Sequence, residues 1–375
     1  MKGLGNVIIG IGIGTILNSS GCSKLQSEKS KEEIQVNRTL YKAIDSIAKY
    51  YVRNLNYSGV VLVADTMRIV FHNAYGNVRI SEDTVTAFWI ASGTKFLTAV
   101  CILRLHQEGK LSENDPIQKY FPALPPDKHG ITIRNLLEQT SGLSSSFISE
   151  GIEDREIAVS EILKQELLSP AGRQFNYSND NYILLAAIIE KVTGESWEKY
   201  VKETILQPAQ MNHTGFWGYE HQAQVFIDSI NDSIRFQTMF TKIFRNGKPH
   251  PNWGQKGATG IFSTTGDLLT MFRSIQSGNI LNDSCRQILL HRGFPVFSEN
   301  DSAISYGHGC SILKAGTHVY EVRLRGHGDW LHNNQASILS NGYTVITWAK
   351  DLGPDQTVLG YNLCKDIIAA IRSYK

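Results

Sequence analysis

The stretch Phe88-Trp89-Ile90-Ala91-Ser92-Gly93-Thr94-Lys95-Phe96-Leu97-Thr98-Ala99 decides how the rest of the chain is read. Ser-x-x-Lys sets a hydroxyl and an amine three residues apart, on one face of a helix. A lysine held there can take the serine proton if burial or nearby positive charge lowers its own pKa. The spacing occurs four times, at Ser46/Lys49, Ser92/Lys95, Ser196/Lys199 and Ser311/Lys314. Ser46 and Ser196 fall inside amphipathic helices, where the lysines read as solvent-facing charges. Ser311 lies in a β run, whose positions i and i+3 point to opposite faces. Only Ser92 stands at a junction, with an apolar lead-in before it and an apolar helix after it. Its backbone N–H is there a first-turn donor that can face a developing oxyanion. Ser92 is the candidate nucleophile and Lys95 its base.

Upstream, residues 38–54 place Leu40, Ile44, Ile47, Ala48 and Tyr51 at helical spacing. Tyr57–Ala64 and Met67–Tyr75 follow as two β-rich runs around a short polar turn, a hairpin. The helix that begins near Ser92 runs to about Gly109, after which Pro116, Pro122, Pro125 and Pro126 break the chain into loops. From Thr132 to about Gln210 the pattern is mostly helical, and Tyr182–Thr193 is apolar almost all round, as a buried helix is. Residues 212–256 show no period and read as long loops. Two helices are expected between Gly260 and Leu290, β runs near 303–313, 317–326, 334–340 and 343–349, and a last helix over about 356–373. Strands at both ends of a helical middle predict an α/β fold of the α+β type. One antiparallel sheet, flanked by the N- and C-terminal helices, would carry an inserted, mostly helical lobe. The α/β lobe is drawn from about 38–125 and 257–375 and the helical lobe from about 126–256, with a pocket between them.

The 375 residues carry 37 Lys+Arg against 35 Asp+Glu, a formal charge of +2. That balance excludes a protein built to neutralise nucleic-acid phosphates. With 42% hydrophobic and 10% aromatic residues, disorder is excluded too. Met1 and Lys2 precede an apolar, glycine-rich run, Leu4 to Leu17, and then Asn18-Ser19-Ser20-Gly21-Cys22, the layout of a secretory signal. A spanning helix needs about 20 apolar residues, and this run is shorter. Cys22 after small residues resembles a bacterial lipobox, although Ser19 stands where a leucine is usual. The expectation is a signal peptide over 1–21, lipidation at Cys22, and a polar tether over 22–37 leading to a domain over 38–375. The chain then reads as an exported lipoprotein, held by its lipid anchor alone and facing the periplasm or cell surface. Cys101, Cys285, Cys310 and Cys364 show no C-x-x-C spacing, so no zinc or redox motif is present, and Cys101, Cys310 and Cys364 read as buried thiols.

Several segments, in order and spacing, resemble the serine β-lactamase and penicillin-binding-protein superfamily, on the branch of class C β-lactamases, DD-peptidases and related esterases. They are Tyr57–Ala64, Ala91–Ala99, Leu105–Leu111 with Asp115-Pro116, Ile133–Leu143, Phe175–Asn179, Ile188–Gly194 and Gly257–Asp267. The resemblance implies a β-lactamase/transpeptidase-like fold. It also assigns a second motif, Tyr177-Ser178-Asn179. Tyr177 would share the base role with Lys95 and pass the proton to the leaving group, and Asn179 would bind Lys95 and the substrate amide. A phenol of ordinary pKa about 10 needs nearby cations for such work. Gln139 replaces the usual histidine before Thr140-Ser141-Gly142.

The third motif of the family is Lys-Thr-Gly or His-x-Gly on a strand lining the cleft, and here Gly326-His327-Gly328-Asp329-Trp330 stands in its place. His327 takes the cationic position. Asp329 occupies the place of the second glycine, and the second oxyanion donor would be the Trp330 N–H, beside Gly328. His327, Asp329 and His332 also spell His-x-Asp-x-x-His, ligand types suited to zinc. In a strand, however, 332 would not share the face of 327 and 329. Arg323 and Arg325 share the strand face of His327, to attract a carboxylate or to form structural pairs. The sequence thus predicts a serine hydrolase that forms an acyl-enzyme without metal or organic cofactor. Its substrate would be a peptide or small molecule: a D-Ala-D-Ala-type peptide, a small ester or a β-lactam, ranked in that order by His327. The alternative is an anchored, non-catalytic binding protein of the same fold, for which Asp329 is the main support. No oligomeric state follows from the sequence.

Overall fold

The computed structural model describes residues 20–76, 87–216, 244–245, 248–249, 252–299, 302–328, 332–350 and 358–374. Helix α1 (Ser20–Leu55) leads into the hairpin β1 (Gly59–Ala64) and β2 (Ile69–Tyr75). Strand β3 (Phe88–Trp89) runs through a 3₁₀ turn, Ala91–Gly93, into α2 (Thr94–Gln107). The helical segment comprises α3 (Ile133–Leu137), α4 (Arg155–Lys164), α5 (Asn179–Thr193) and α6 (Trp197–Val201). Short strands β4 (Gly215–Phe216), β5 (Phe244–Arg245), β6 (Lys248–Pro249) and β7 (Ile261–Ser263) precede α7 (Thr265–Gln276) and α8 (Asp283–His291). The chain then forms β8 (Gly293–Glu299), β9 (Ser302–Gly307), β10 (Ser311–Ala315), β11 (His318–Gly328), β12 (His332–Leu339) and β13 (Thr344–Ala349), and closes with α9 (Leu359–Ser373).

The eight-stranded sheet has the order β2-β1-β13-β12-β11-β10-β9-β8, antiparallel throughout. The chain's first hairpin therefore docks on its last strand, with Gly59 opposite Ala349. Period-two alternation splits β1 between two cores. Val61 and Val63 face α1 and α9, among Leu40, Ile44, Leu363 and Ile367, whereas Leu62 and Ala64 face the core built around α2. Helix α2 is buried nearly all round, from Thr94 to Leu103 and again at Leu105. This suits a helix that sits between sheet and helical segment and not on a surface. Each large apolar side chain it buries contributes roughly 1.5–3 kcal/mol of transfer free energy.

One expectation, that for Ser196, is corrected, and three readings gain detail. The stretch 22–37, read as a tether, continues α1, which begins at Ser20. It is rich in Lys, Glu and Gln, good helix formers that leave nothing to stop the helix. Strand β8 was masked by Pro295, which a sheet interior would not accept; β8 is an edge strand, with a register shift between Pro295 and Phe297. Ser196 does not lie inside a helix but caps α6, accepting from the Lys199 N–H. Cys285 joins the other three thiols in being buried and free. Residues 1–19 and most of the 212–256 stretch lie outside the described residues. Among the described residues, no helix is long and apolar enough to cross a membrane.

Candidate active site

Ser92 is set in the 3₁₀ turn that joins β3 to α2. Ala91, just before it, has φ +45°, a left-handed conformation that a β-carbon disfavours. Such strain persists where its surroundings over-determine it. Here the Ile90 N–H donates to Ile261 O at 3.0 Å, the Gly93 N–H donates to Ile90 O at 2.9 Å, and the Trp89 indole donates to Thr259 O. The same 257–261 segment holds the first turns of α2, because Thr98 donates to Gly257 O at 2.8 Å and Thr94 Oγ1 accepts from the Ile261 N–H at 3.1 Å.

Lys95 lies one turn on, fully buried. Its Nζ is 3.1 Å from Ser92 Oγ, 2.7 Å from Asn179 Oδ1 and 3.1 Å from Ala258 O. Burial pushes this amine below the usual lysine range, against an opposing pull from Tyr177. Tyr177 Oη is 2.8 Å from Ser92 Oγ, and its ring centroid is 5.0 Å from Lys95 Nζ. When the amine is neutral, the carbonyls of Asn179 and Ala258 engage its two protons and its lone pair faces the Ser92 hydroxyl. That is the arrangement a general base needs.

Tyr177 and Asn179 flank Ser178, the N-cap of α5. Two clamps hold this helix start. Buried Asp180 accepts from Ser149 Oγ at 2.6 Å, Ile148 N–H at 3.1 Å and Gln165 Nε2 at 3.0 Å. Gln139, in the loop after α3, accepts from Ser178 N–H at 2.9 Å.

The third wall is β11. Its pairing with β10 ends at Ser311 opposite Arg323, so residues 324–328 pair only with β12 and leave the other edge open. Gly326 is required there by close approach: a Cβ on it would stand 2.0 Å from Ile90 O. A cleft of about 490 Å³ is lined by Ser92, Tyr177, Asn179, Tyr306, Arg325, His327 and Tyr361, among others. The structure thus brings together Ser92, Lys95, Tyr177, Asn179 and His327. Gly328 ends β11, while Asp329 and Trp330 lie outside the described residues.

The two arginines separate. Arg323 forms a two-pronged pair with Glu321, at 2.8 and 3.0 Å, and is neutralised. Arg325 bonds neutral Gln335 at 2.8 Å, lies 4.6 Å over the Tyr361 ring, and has no ion-pair partner among the described residues. Sequence reasoning did not reach Gln335, Tyr306 or Tyr361, because none belongs to a local motif. His332 does not join His327 in the cleft; it is buried between Trp89 and Trp348, with ring centroids at 5.1 and 6.1 Å. The other Ser-x-x-Lys lysines engage carboxylates or carbonyls: Lys49 on Asp45, Lys199 on Glu195 and Glu203, and Lys314 on His291 O.

The family model described as Beta-lactamase matches residues 44–318. PbpX of Bacillus subtilis (strain 168), which carries the name of a penicillin-binding protein, is 32% identical over 200 residues. The match covers 52% of this chain and 49% of that protein, so the chain spans about half the length of this relative. Among solved structures, the penicillin-binding protein from Bacillus halodurans aligns with a TM-score of 0.64 at 22% identity, covering 88% of this chain and 100% of the other. The D-amino acid amidase from Ochrobactrum anthropi SV3, complexed with D-phenylalanine, aligns with a TM-score of 0.70 at 19% identity, covering 90% and 100%. At these identities the two structures attest the fold. Because the family match runs from α1 through the nucleophile turn and the Tyr177 loop to the start of β11, the chain belongs to the beta-lactamase family.

Proposed function

We propose that the chain is a serine hydrolase that acylates Ser92 with an amide or ester, of DD-peptidase or amidase type. The observation that carries the reading is the approach of Lys95 Nζ and Tyr177 Oη to Ser92 Oγ, at 3.1 and 2.8 Å, at the floor of an open cleft. Ser92 Oγ attacks the carbonyl carbon while its proton passes to the Lys95–Tyr177 pair. The oxyanion is met by the Ser92 N–H and by a backbone N–H at the end of β11. Tyr177, at the cleft side of the serine, returns the proton to the departing nitrogen or oxygen. Water then takes the leaving group's place and releases the acyl group by the reverse proton path.

Arg325 and His327 support a substrate with a carboxylate, since a permanent cation without an anionic partner among the described residues favours an anion in the cleft. Among relatives, the names penicillin-binding protein and D-amino acid amidase agree with a D-amino-acid peptide or amide. A β-lactam substrate ranks below these. We further propose export and lipid anchorage at Cys22.

The test is the intact mass of the domain after exposure to a fluorophosphonate probe, beside Ser92→Ala. One adduct on the parent and none on the variant is expected. A folded parent without an adduct would favour the non-catalytic binding protein. For the carboxylate, Arg325→Met and His327→Asn should lower kcat/KM about tenfold or more on a carboxylate-bearing amide, the loss of one charge-assisted contact. On a neutral ester the effect should be much smaller, and equal losses on both substrates would remove the carboxylate from the proposal.

A further inference from the structure

We propose that Gln139 is a positioning residue for this reaction, fixing the segment that carries Tyr177 and Asn179 against Ser92 and Lys95. The inference rests on the hydrolase reading for its consequence, but not for its geometry. Gln139 is fully buried and is not among the residues that line the cleft. It follows the end of α3 with φ +60°, a left-handed turn that a β-carbon disfavours. Three bonds join it to the 176–181 segment. Its backbone O accepts from the Asn176 N–H at 2.8 Å, and its Oε1 accepts from the Ser178 N–H at 2.9 Å and from Asn181 Nδ2 at 2.5 Å. Asn181 is held in turn by Ser141 Oγ, which donates to its Oδ1 at 2.6 Å.

The chemistry of these bonds explains why the residue matters. In a capping box, the third helical residue reaches back to accept from the N-cap N–H. Helix α5 begins at Asn179, so its third residue is Asn181, and Ser178 is the N-cap without a side-chain cap bond. Asn181 points its amide at Gln139 instead, and Gln139 supplies the missing acceptor to the Ser178 N–H from another loop. The peptide so fixed lies between Tyr177 and Asn179. Its orientation sets where Tyr177 Oη stands relative to Ser92 and where Asn179 Oδ1 meets Lys95. The Ser178 N–H can only donate, so the amide of Gln139 has one permitted orientation. Its buried Nε2 is turned toward the Tyr306 hydroxyl on the cleft wall. Its oxygen is the side-chain atom that reaches the 178–181 segment.

Gln139→Met keeps length and bulk but has no such acceptor; Gln139→Glu keeps it. Two readouts separate structure from turnover: the rate of fluorophosphonate labelling of Ser92 against probe concentration and pH, and the NMR signal of Tyr177 in protein carrying ¹³Cζ-tyrosine, assigned with Tyr177→Phe. For Gln139→Met the limiting labelling rate should fall about tenfold to a hundredfold, the cost of misplacing a group by about 1 Å. Half-saturation should move less than about threefold, the split expected when positioning and not binding is lost. The Tyr177 signal should shift or broaden. Gln139→Glu should recover most of the parent's rate measured at the same pH, most fully at low pH, where a buried carboxyl is neutral. If Gln139→Met fails to fold, Gln139→Gly, which suits φ +60° and also lacks the acceptor, carries the same expectations. A Tyr177 signal that superimposes on the parent's, or a limiting rate within twofold of it, overturns the proposal. A parent that never labels while Tyr177 shifts in the variant would leave the clamp standing and remove the hydrolase reading.

Discussion

Lys95 has three hydrogen-bond acceptors within 3.1 Å, and its Nζ can donate to all three only as an ammonium. Burial favours the neutral amine. The base form therefore accumulates at lower pH than for a lysine in water, and acylation should rise as pH climbs through that lowered value. Singling out Ser92 and Lys95 as candidates among four look-alike pairs needed only their place at the start of an apolar helix. Gln139 was visible in the sequence as a departure, but which atoms it engages depends on a loop some forty residues further along. His332 was visible only as a would-be ligand. In the fold its pKa is pushed down to about 3, by burial and then by neighbouring His327. The unfolded chain protonates it near 6.5. Its contribution to stability is thus full above about pH 6.5 and is lost as pH falls toward 3. His332→Phe would fill the same gap between the two indoles and cannot titrate, at the cost of the ring's bond to the Trp89 backbone. Its melting temperature should decline less steeply than the parent's over that window. Parallel curves would contradict this account.

Elements were legible where one face or the whole surface is apolar. Helix α5 announces itself because Tyr182–Thr193 is apolar almost all round, and β1 because its six residues, Gly59–Ala64, are apolar and all buried. Strand β8 escaped because Pro295 is excluded from interior strands, and only its place at the sheet edge makes it acceptable. The contact of β11 with the nucleophile turn was equally hidden, since a glycine does not reveal what approaches it. Gly326→Ala would put a methyl group 2.0 Å from Ile90 O, so strand or turn must move. The expected cost is about 1–3 kcal/mol, as for other overpacked sites. Labelling of Ser92 should slow as well, because Ile90 O is the acceptor that closes the turn at Gly93. A variant that melts and labels like the parent would show that the contact is not constraining.

At the scale of the molecule, the two large hydrophobic clusters among the described residues divide labour. The cluster between α1, α9 and the sheet holds the chain ends together, while the one around α2 supports the cleft. Leu363, fully buried in the first, is remote in kind from the chemistry. Leu363→Ala should destabilise by about 2–5 kcal/mol, the range for a deleted core leucine. The rate of probe labelling at Ser92 should stay within about twofold of the parent, since Leu363 itself is not among the residues that line the cleft. Chemical denaturation beside labelling kinetics at a temperature where both proteins are folded checks this. A proportional loss of both would mean that the two cores are coupled through the sheet.

The sequence by itself determined the class of fold, the candidate nucleophile and the segments that meet around it. Each of these depends on local pattern: periodicity selects strand or helix, and Ser-x-x-Lys before an apolar helix selects one serine. Only the tertiary structure decided which arginine is neutralised, what fixes Tyr177 and Asn179, and why His332 stays out of the cleft. These depend on distance and burial between residues far apart in the chain. Whether a charge finds a partner, or a carbonyl a donor, is settled when the sheet brings both ends of the polypeptide side by side.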